Sequence, residues 1–278
     1  MTAGRRADVG VALRALGLPA DADVIPAAGG ASGSAWRVRV EDATFVMRHA
    51  GSGPIAASRL AAMAAARDAG LAVPDLLRRE TTADGEVVLL SWLPGVSLLD
   101  ALARAPADAR HYGERMGGLH RRLHRIAAPP EVIRAAEDPG HPFGAGRDVR
   151  ALARGDRLLH LDWHPLNLLV DEAAREIVGI VDWDNARAGH PSLDLARTRS
   201  ILTLEPGLAD LAEPVRGRLP DLLDAWADGY GPEARAIPCA ADAWAGRVML
   251  ADLVPRYPDR PDALNEIRRW ADAAAAGV

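Results

Sequence analysis

The sequence predicts an α+β fold in which a small antiparallel sheet with one main helix precedes a larger, mostly helical region. Three observations carry that prediction. Around Val38, Val40, Phe45 and Met47, apolar and polar side chains alternate with a period of two, as in half-exposed strands. Short strand-like runs continue to about residue 92, punctuated by glycine and acidic turns. From Val96 onward the apolar spacing becomes three and four, which places those residues on helix faces.

Taken in order, Val9, Ala12, Leu13 and Leu16 mark an amphipathic first helix, without the continuous apolar core of a secretion signal. The stretch "DVIPAAGGASGSAWRVRVEDATFVMRHA" follows as strand, glycine-rich turn, strand, acidic turn, strand. An alanine-rich helix ends near Ala69, before Gly70 and Pro74. Two more strands flank an Asp-Gly turn at Asp84 and Gly85. Tyr112, Met116, Leu119, Leu123 and Ile126 then form one buried helical stripe, which Pro129 and Pro130 are expected to end. A turn-rich connector leads to a hairpin, Leu168 to Val170 with Ile177 to Val181. Helices fill the rest, with one apolar face at Leu222, Leu223, Trp226 and Tyr230 and another at Leu264, Ile267 and Trp270. His120 and His124, four apart on one helix, are expected to be partly exposed polar residues. The seven tryptophans are expected mainly in the core.

Composition narrows the function. A chain of 278 residues can bury a sizeable core, and 49% apolar with 26% charged residues is ordinary for a soluble protein. No apolar run reaches membrane-spanning length. The net charge of −5 argues against general nucleic-acid affinity. The lone Cys239 excludes an internal disulfide framework and fits a reducing cytoplasm. Every basic residue other than histidine is arginine, so no lysine is available for catalysis.

The chemistry concentrates in "LLHLDWHPLN" and "IVGIVDWDNARAGHPSLDLA". His160, Asp162 and a distant His190 could be listed as a non-haem iron set. That chemistry predicts an all-β host, unlike this chain, and leaves Asn167 and "VDWD" without a task. Phosphoryl transfer instead needs a carboxylate to receive an acceptor hydroxyl, oxygen ligands for a metal ion, and groups to hold a nucleotide. Asp162, Asn167 and Asp182 supply the first two in order, with a hairpin as rigid support between them.

These paired motifs resemble those of the aminoglycoside phosphotransferase and choline kinase family, small-molecule kinases of protein-kinase-like fold. The resemblance extends to "AAGGASGSAWRV", "FVMRHA", "VVLLSWLPG" and "GERMGGLHRRLH", much of the first 200 residues. It implies a two-lobed molecule, with an N-terminal lobe over 1–92 and a helical C-terminal lobe over 93–278. It implies Asp162 as catalytic base or substrate-orienting carboxylate, and Asn167 and Asp182 as ligands of Mg2+. Gly29, Gly30, Ser32 and Gly33 would cover the phosphates of ATP, or of GTP in its place. Arg48 would also reach those phosphates, and Ser91, Trp92 and Leu93 would meet the base. His160 and Asp194 would support the catalytic loop, with His164 and Asp184 near the substrate.

The implied partner is a small hydroxylated molecule, an antibiotic such as an aminoglycoside or a metabolite such as a choline-like alcohol, sugar, amino acid or fructosamine. Neither nucleic acid nor membrane is expected, and the chain would act as a monomer or homodimer. Two departures stand out. Arg48 occupies the position of the family's usual lysine, and the helix after it has no glutamate to pair with it, only Asp68 near the wrong end. Arg59 stands about where that glutamate belongs, and a nucleotide-binding module without turnover is the alternative this motivates. Only about thirty residues separate Pro130 from His160, which shifts acceptor recognition to the C-terminal helices. Their acids Asp221, Asp224, Asp228, Asp242 and Asp252 fit either a wall for a cationic acceptor or, more simply, solvated helix faces.

Overall fold

Residues 3–27, 35–49, 57–83, 85–136 and 149–277 are described by the computed structural model of the protein. The expected phosphate-covering residues Gly29, Gly30, Ser32 and Gly33, and Asp84 of the expected turn, lie outside them.

The first seven elements are α1 (Ala3–Ala15), β1 (Asp23–Pro26), β2 (Ala35–Val40), β3 (Ala43–His49), α2 (Ala57–Asp68), β4 (Leu76–Thr82) and β5 (Gly85–Ser91). The strands form one antiparallel sheet in the order β1-β2-β3-β5-β4. Val9, Ala12 and Leu13 of α1, with Leu16 just after it, pack with Val38, Met47, Val87 and Leu89 on one face. Ala62, Met63 and Ala66 of α2 pack with Val88 and Leu90 on the other. Strand β5 is therefore buried on both sides, which is why its sequence is a run of aliphatics rather than an alternation. The same period of two sets Arg48 opposite Val88, on the face that α2 covers.

Helices dominate the remainder. The chain continues through β6 (Val96–Ser97), α3 (Leu98–Arg104), α4 (Ala109–Leu123) and α5 (Pro130–Ala136). Helix α4 stops at Leu123, well before the prolines expected to end it, and Pro130 instead begins α5, where a missing N–H costs nothing. Next come α6 (Arg150–Ala153), β7 (Arg157–Leu159), β8 (Leu168–Asp171), β9 (Glu176–Ile180) and β10 (Arg187–Gly189). Strands β8 and β9 are the expected hairpin, extended by β6, while β7 pairs with β10. The last five elements are α7 (Pro191–Leu204), α8 (Glu213–Arg216), α9 (Leu219–Tyr230), α10 (Cys239–Leu253) and α11 (Pro261–Ala276). No described helix is long and apolar enough to cross a membrane.

Helices α4 and α9 touch through their backbones. A Cβ at Gly117 would run into the Trp226 carbonyl, and one at Gly229 into the Glu114 carbonyl. This close crossing corrects one expectation. His120 and His124 of α4 are not partly exposed; both are buried, His120 stacked on Trp163 with ring centroids 4.6 Å apart. Five of the seven tryptophans are buried, while Trp92 is exposed.

Candidate active site

The site forms where the segment after β7 meets the segment after β9. Leu161 adopts φ +61°, a conformation that L residues rarely take, immediately before Asp162. Asp194, in the first turn of α7, holds this bend: its carboxylate accepts hydrogen bonds from His160 N at 2.6 Å and Leu161 N at 2.9 Å. His120 and His124 lie 3.3 and 3.2 Å from the same carboxylate, and His124 also meets the Tyr230 hydroxyl at 2.8 Å. Although burial alone would raise it, the Asp194 carboxyl is held well below its ordinary value by His120 and His124. His160 Nε2 lies 3.1 Å from the Val181 carbonyl, which can only accept, so this histidine ties the bend to the end of β9.

Asp162 and Asn167 are joined directly. The Asn167 amide nitrogen donates to the Asp162 carbonyl at 2.9 Å and to its carboxylate at 3.0 Å. His164 Nε2 stands 3.3 Å from the other Asp162 oxygen. Burial opposes ionisation of Asp162, but the His164 hydrogen bond and the charges of His164, His160 and Arg197 outweigh it, and the group is pushed down to about 2. It is therefore an ionised hydrogen-bond acceptor at neutral pH. A backbone bond from Val181 N to the Asn167 carbonyl, 2.9 Å, fixes Asn167 beside Asp182.

Asp182 also adopts a left-handed conformation, φ +58°. Its Oδ1 is buried without a hydrogen-bond partner, and burial together with Asp184 raises its carboxyl above the ordinary value. An orphaned carboxylate oxygen next to an amide whose nitrogen is already engaged is a hard-oxygen donor set, the kind that suits Mg2+.

The cationic side of the site departs from expectation. Arg48 is not without a carboxylate: it grips Asp184 with both guanidinium nitrogens, each at 2.6 Å, and lies 3.7 Å from Asp182. Arg59 of α2 reaches the same carboxylate, Nε to Oδ1 at 3.0 Å. Asp184 thus stands between two arginines that α2 and β3 bring to one side of the sheet.

A cavity of about 730 Å3 gathers Asp162, His164, Asn167, Asp182 and Asp184, and continues toward α7 and α10. Ser91, Trp92 and Leu93 do not line it; the Ser91 hydroxyl and N–H are both occupied by the Asp75 backbone. His190, of the iron alternative, caps α7 at Ser192 and takes no part. Arg197 lines the cavity and was not singled out by sequence, although it lies three residues after Asp194 on one helix face. Glu205, at the end of α7, was also missed.

A sequence profile of the phosphotransferase enzyme family, APH, matches residues 23–156 and 145–241. None of the curated proteins compared with the chain matches it. Among solved structures, an aminoglycoside-3'-phosphotransferase of type VIII is similar at 20% identity and TM-score 0.58, over 88% of this chain and 98% of that one. A thermostable mutant of aminoglycoside phosphotransferase APH(4)-Ia, in ternary complex with AMP-PNP and hygromycin B, is similar at 14% identity and TM-score 0.59, over 96% and 97%. At these identities the likeness is one of fold: the α+β, protein-kinase-like class that the sequence predicts.

Proposed function

The chain belongs to the phosphotransferase enzyme family and is a small-molecule kinase, and on that premise we propose that it transfers the γ-phosphoryl group of ATP, with Mg2+, to a hydroxyl of an antibiotic or comparable small molecule. The observation that carries this reading is the convergence of Asp162, Asn167 and Asp182 on one cavity, beside two arginines held together by Asp184.

Each residue has a task that its surroundings support. Asp162, kept ionised, accepts the hydrogen bond of the acceptor hydroxyl and aligns its oxygen with the phosphorus. Its low basicity matches a loose transition state, in which the hydroxyl proton is lost late. Asn167 and Asp182 would hold Mg2+ through oxygen, and the ion would neutralise charge on the phosphates. Arg48 and Arg59 present planar, permanently charged guanidinium groups to the phosphates, a geometry that suits phosphate oxygens. Asp194 and His160 keep the Asp162 bend in place. Gly29, Gly30, Ser32 and Gly33 would complete the phosphate side of the nucleotide site in this reading, with GTP as the alternative donor. Trp92 and Leu93 would lie toward the base, since the Ser91 N–H is already bonded to Asp75.

AMP-PNP and hygromycin B in the neighbouring structure are consistent with a nucleotide donor and a hydroxylated acceptor. A metabolite kinase would use the same machinery. The module without turnover was motivated by a β3 cation lacking a partner, and Asp184 removes that motive. The test is label transfer from γ-labelled ATP, with magnesium, to a panel of hydroxylated amines, sugars and antibiotics. Acceptor-dependent transfer is expected; tight nucleotide binding with no transfer to any acceptor would overturn the proposal.

A further inference from the structure

Away from Arg48 and Arg59, the cavity wall changes character. Leu99, Leu166, Ile201, Leu202, Leu208 and Leu211 line it toward α7 and the segment that follows. Leu166 belongs to the Asp162–Asn167 loop itself and is 45% exposed, adding apolar surface to that wall. Leu99, Leu208 and Leu211 are half-buried, with apolar surface still to cover. An opening of about 730 Å3 with an aliphatic wall and a few convergent charges has the size and make-up of a small-molecule site.

Most of the charges already have partners. Five carboxylates line the cavity, Asp162, Asp182, Asp184, Glu205 and Asp252, with two guanidinium groups, Arg197 and Arg256, and Asp184 is taken up by Arg48 and Arg59. Asp252 pairs with Arg256 at 3.2 Å, and Arg197 carries its charge beside Asp162. Glu205 has no ion pair of its own; burial raises its carboxyl above the ordinary value, while a hydrogen bond from the Tyr257 hydroxyl and the charge of Arg256 favour its ionised form. The remaining acids of the C-terminal helices do not face the cavity. Asp221 pairs with Arg218, Asp224 and Asp228 with Arg110 and Arg235, and Asp242 with Arg199. A molecule with several ammonium groups would leave most of them desolvated without a partner.

We propose that the acceptor is an amphiphile, which presents its hydroxyl to Asp162, packs an apolar body on the leucine wall, and carries at most one amine, placed at Glu205. This rests on the phosphotransfer reading and narrows its acceptor class. The test uses the full chain with magnesium and a set of 1-amino-2-alkanols of increasing length, beside an aminoglycoside with several ammonium groups. Binding is measured by calorimetry with a non-hydrolysable ATP analogue, and transfer with labelled ATP.

Affinity should rise about fourfold per added methylene until the wall is covered, and the longest alkanol should bind more tightly than the aminoglycoside. Leu208→Asn and Leu211→Asn, each checked for an intact thermal transition, should flatten that series. Affinity independent of chain length, no binding by any member, or tighter binding of the aminoglycoside would overturn the proposal. A chain-length series without label transfer would uphold the amphiphilic pocket and count against phosphotransfer.

Discussion

Arg48 and Asp184 meet across 136 residues as a two-pronged ion pair, each guanidinium nitrogen 2.6 Å from its own carboxylate oxygen. In this chain the carboxylate that orients the β3 cation comes from the segment after β9, not from the neighbouring helix. Helix α2 instead contributes a second cation, Arg59, to the same acid. Losing Asp184 sets the two arginines against each other without their shared anion. Asp184→Ala should raise the KM for nucleotide by about 10- to 100-fold, the range for losing a hydrogen-bonded charge partner. Steady-state kinetics at saturating magnesium check this, and an unchanged KM would refute the positioning role.

Asp182 Oδ1 is buried without a hydrogen-bond donor, with the Arg48 guanidinium 3.7 Å away. Asp182→Ala should abolish the magnesium dependence of nucleotide binding. Calorimetric titration of the nucleotide with and without magnesium reads this directly; a retained magnesium dependence would remove Asp182 from the metal site.

His120 supplies a pH dependence of stability. Burial first, then the charge of His124, push its pKa down to about 4, against an ordinary value near 6.5. Between those values the unfolded chain binds a proton that the folded chain refuses, so stability falls as pH drops through this window. The loss approaches about 3 kcal/mol by pH 4. Chemical denaturation at pH 7, 5.5 and 4.5 should show the decline, and His120→Phe should reduce its slope. An equally steep decline in the variant would place the titrating group elsewhere.

The α4–α9 crossing is expected to be intolerant of volume. Gly117→Ala would force a methyl group against the Trp226 carbonyl, a backbone atom that cannot turn aside. A loss of about 2–3 kcal/mol follows if the helices must separate. Equilibrium unfolding measures it; a neutral substitution would show that the crossing yields at little cost.

Much of this arrangement was legible in sequence where the signal was local. Val9, Ala12, Leu13 and Leu16, read at helical spacing, are all buried on the sheet, although α1 ends one residue before Leu16, and the β8–β9 hairpin lies within a residue or two of its expected bounds. Asp162, Asn167 and Asp182 converge because twenty residues and one hairpin join them. Long-range charge pairing was not legible. Nothing near Arg48 in the chain announces Asp184, and nothing near His120 and His124 announces the buried Asp194, some seventy residues away, that makes burying two histidines tolerable. The end of α4 was misplaced for a related reason, since prolines that forbid a continuing helix equally permit a new one to start.

The most direct test concerns Asp162, whose carboxylate every step of the proposed transfer needs. Single-turnover transfer of labelled phosphate from ATP to a hydroxylated acceptor should be slower in Asp162→Asn by roughly 10²- to 10⁴-fold, with nucleotide affinity unchanged. Near-normal transfer in that variant would contradict the account at its centre.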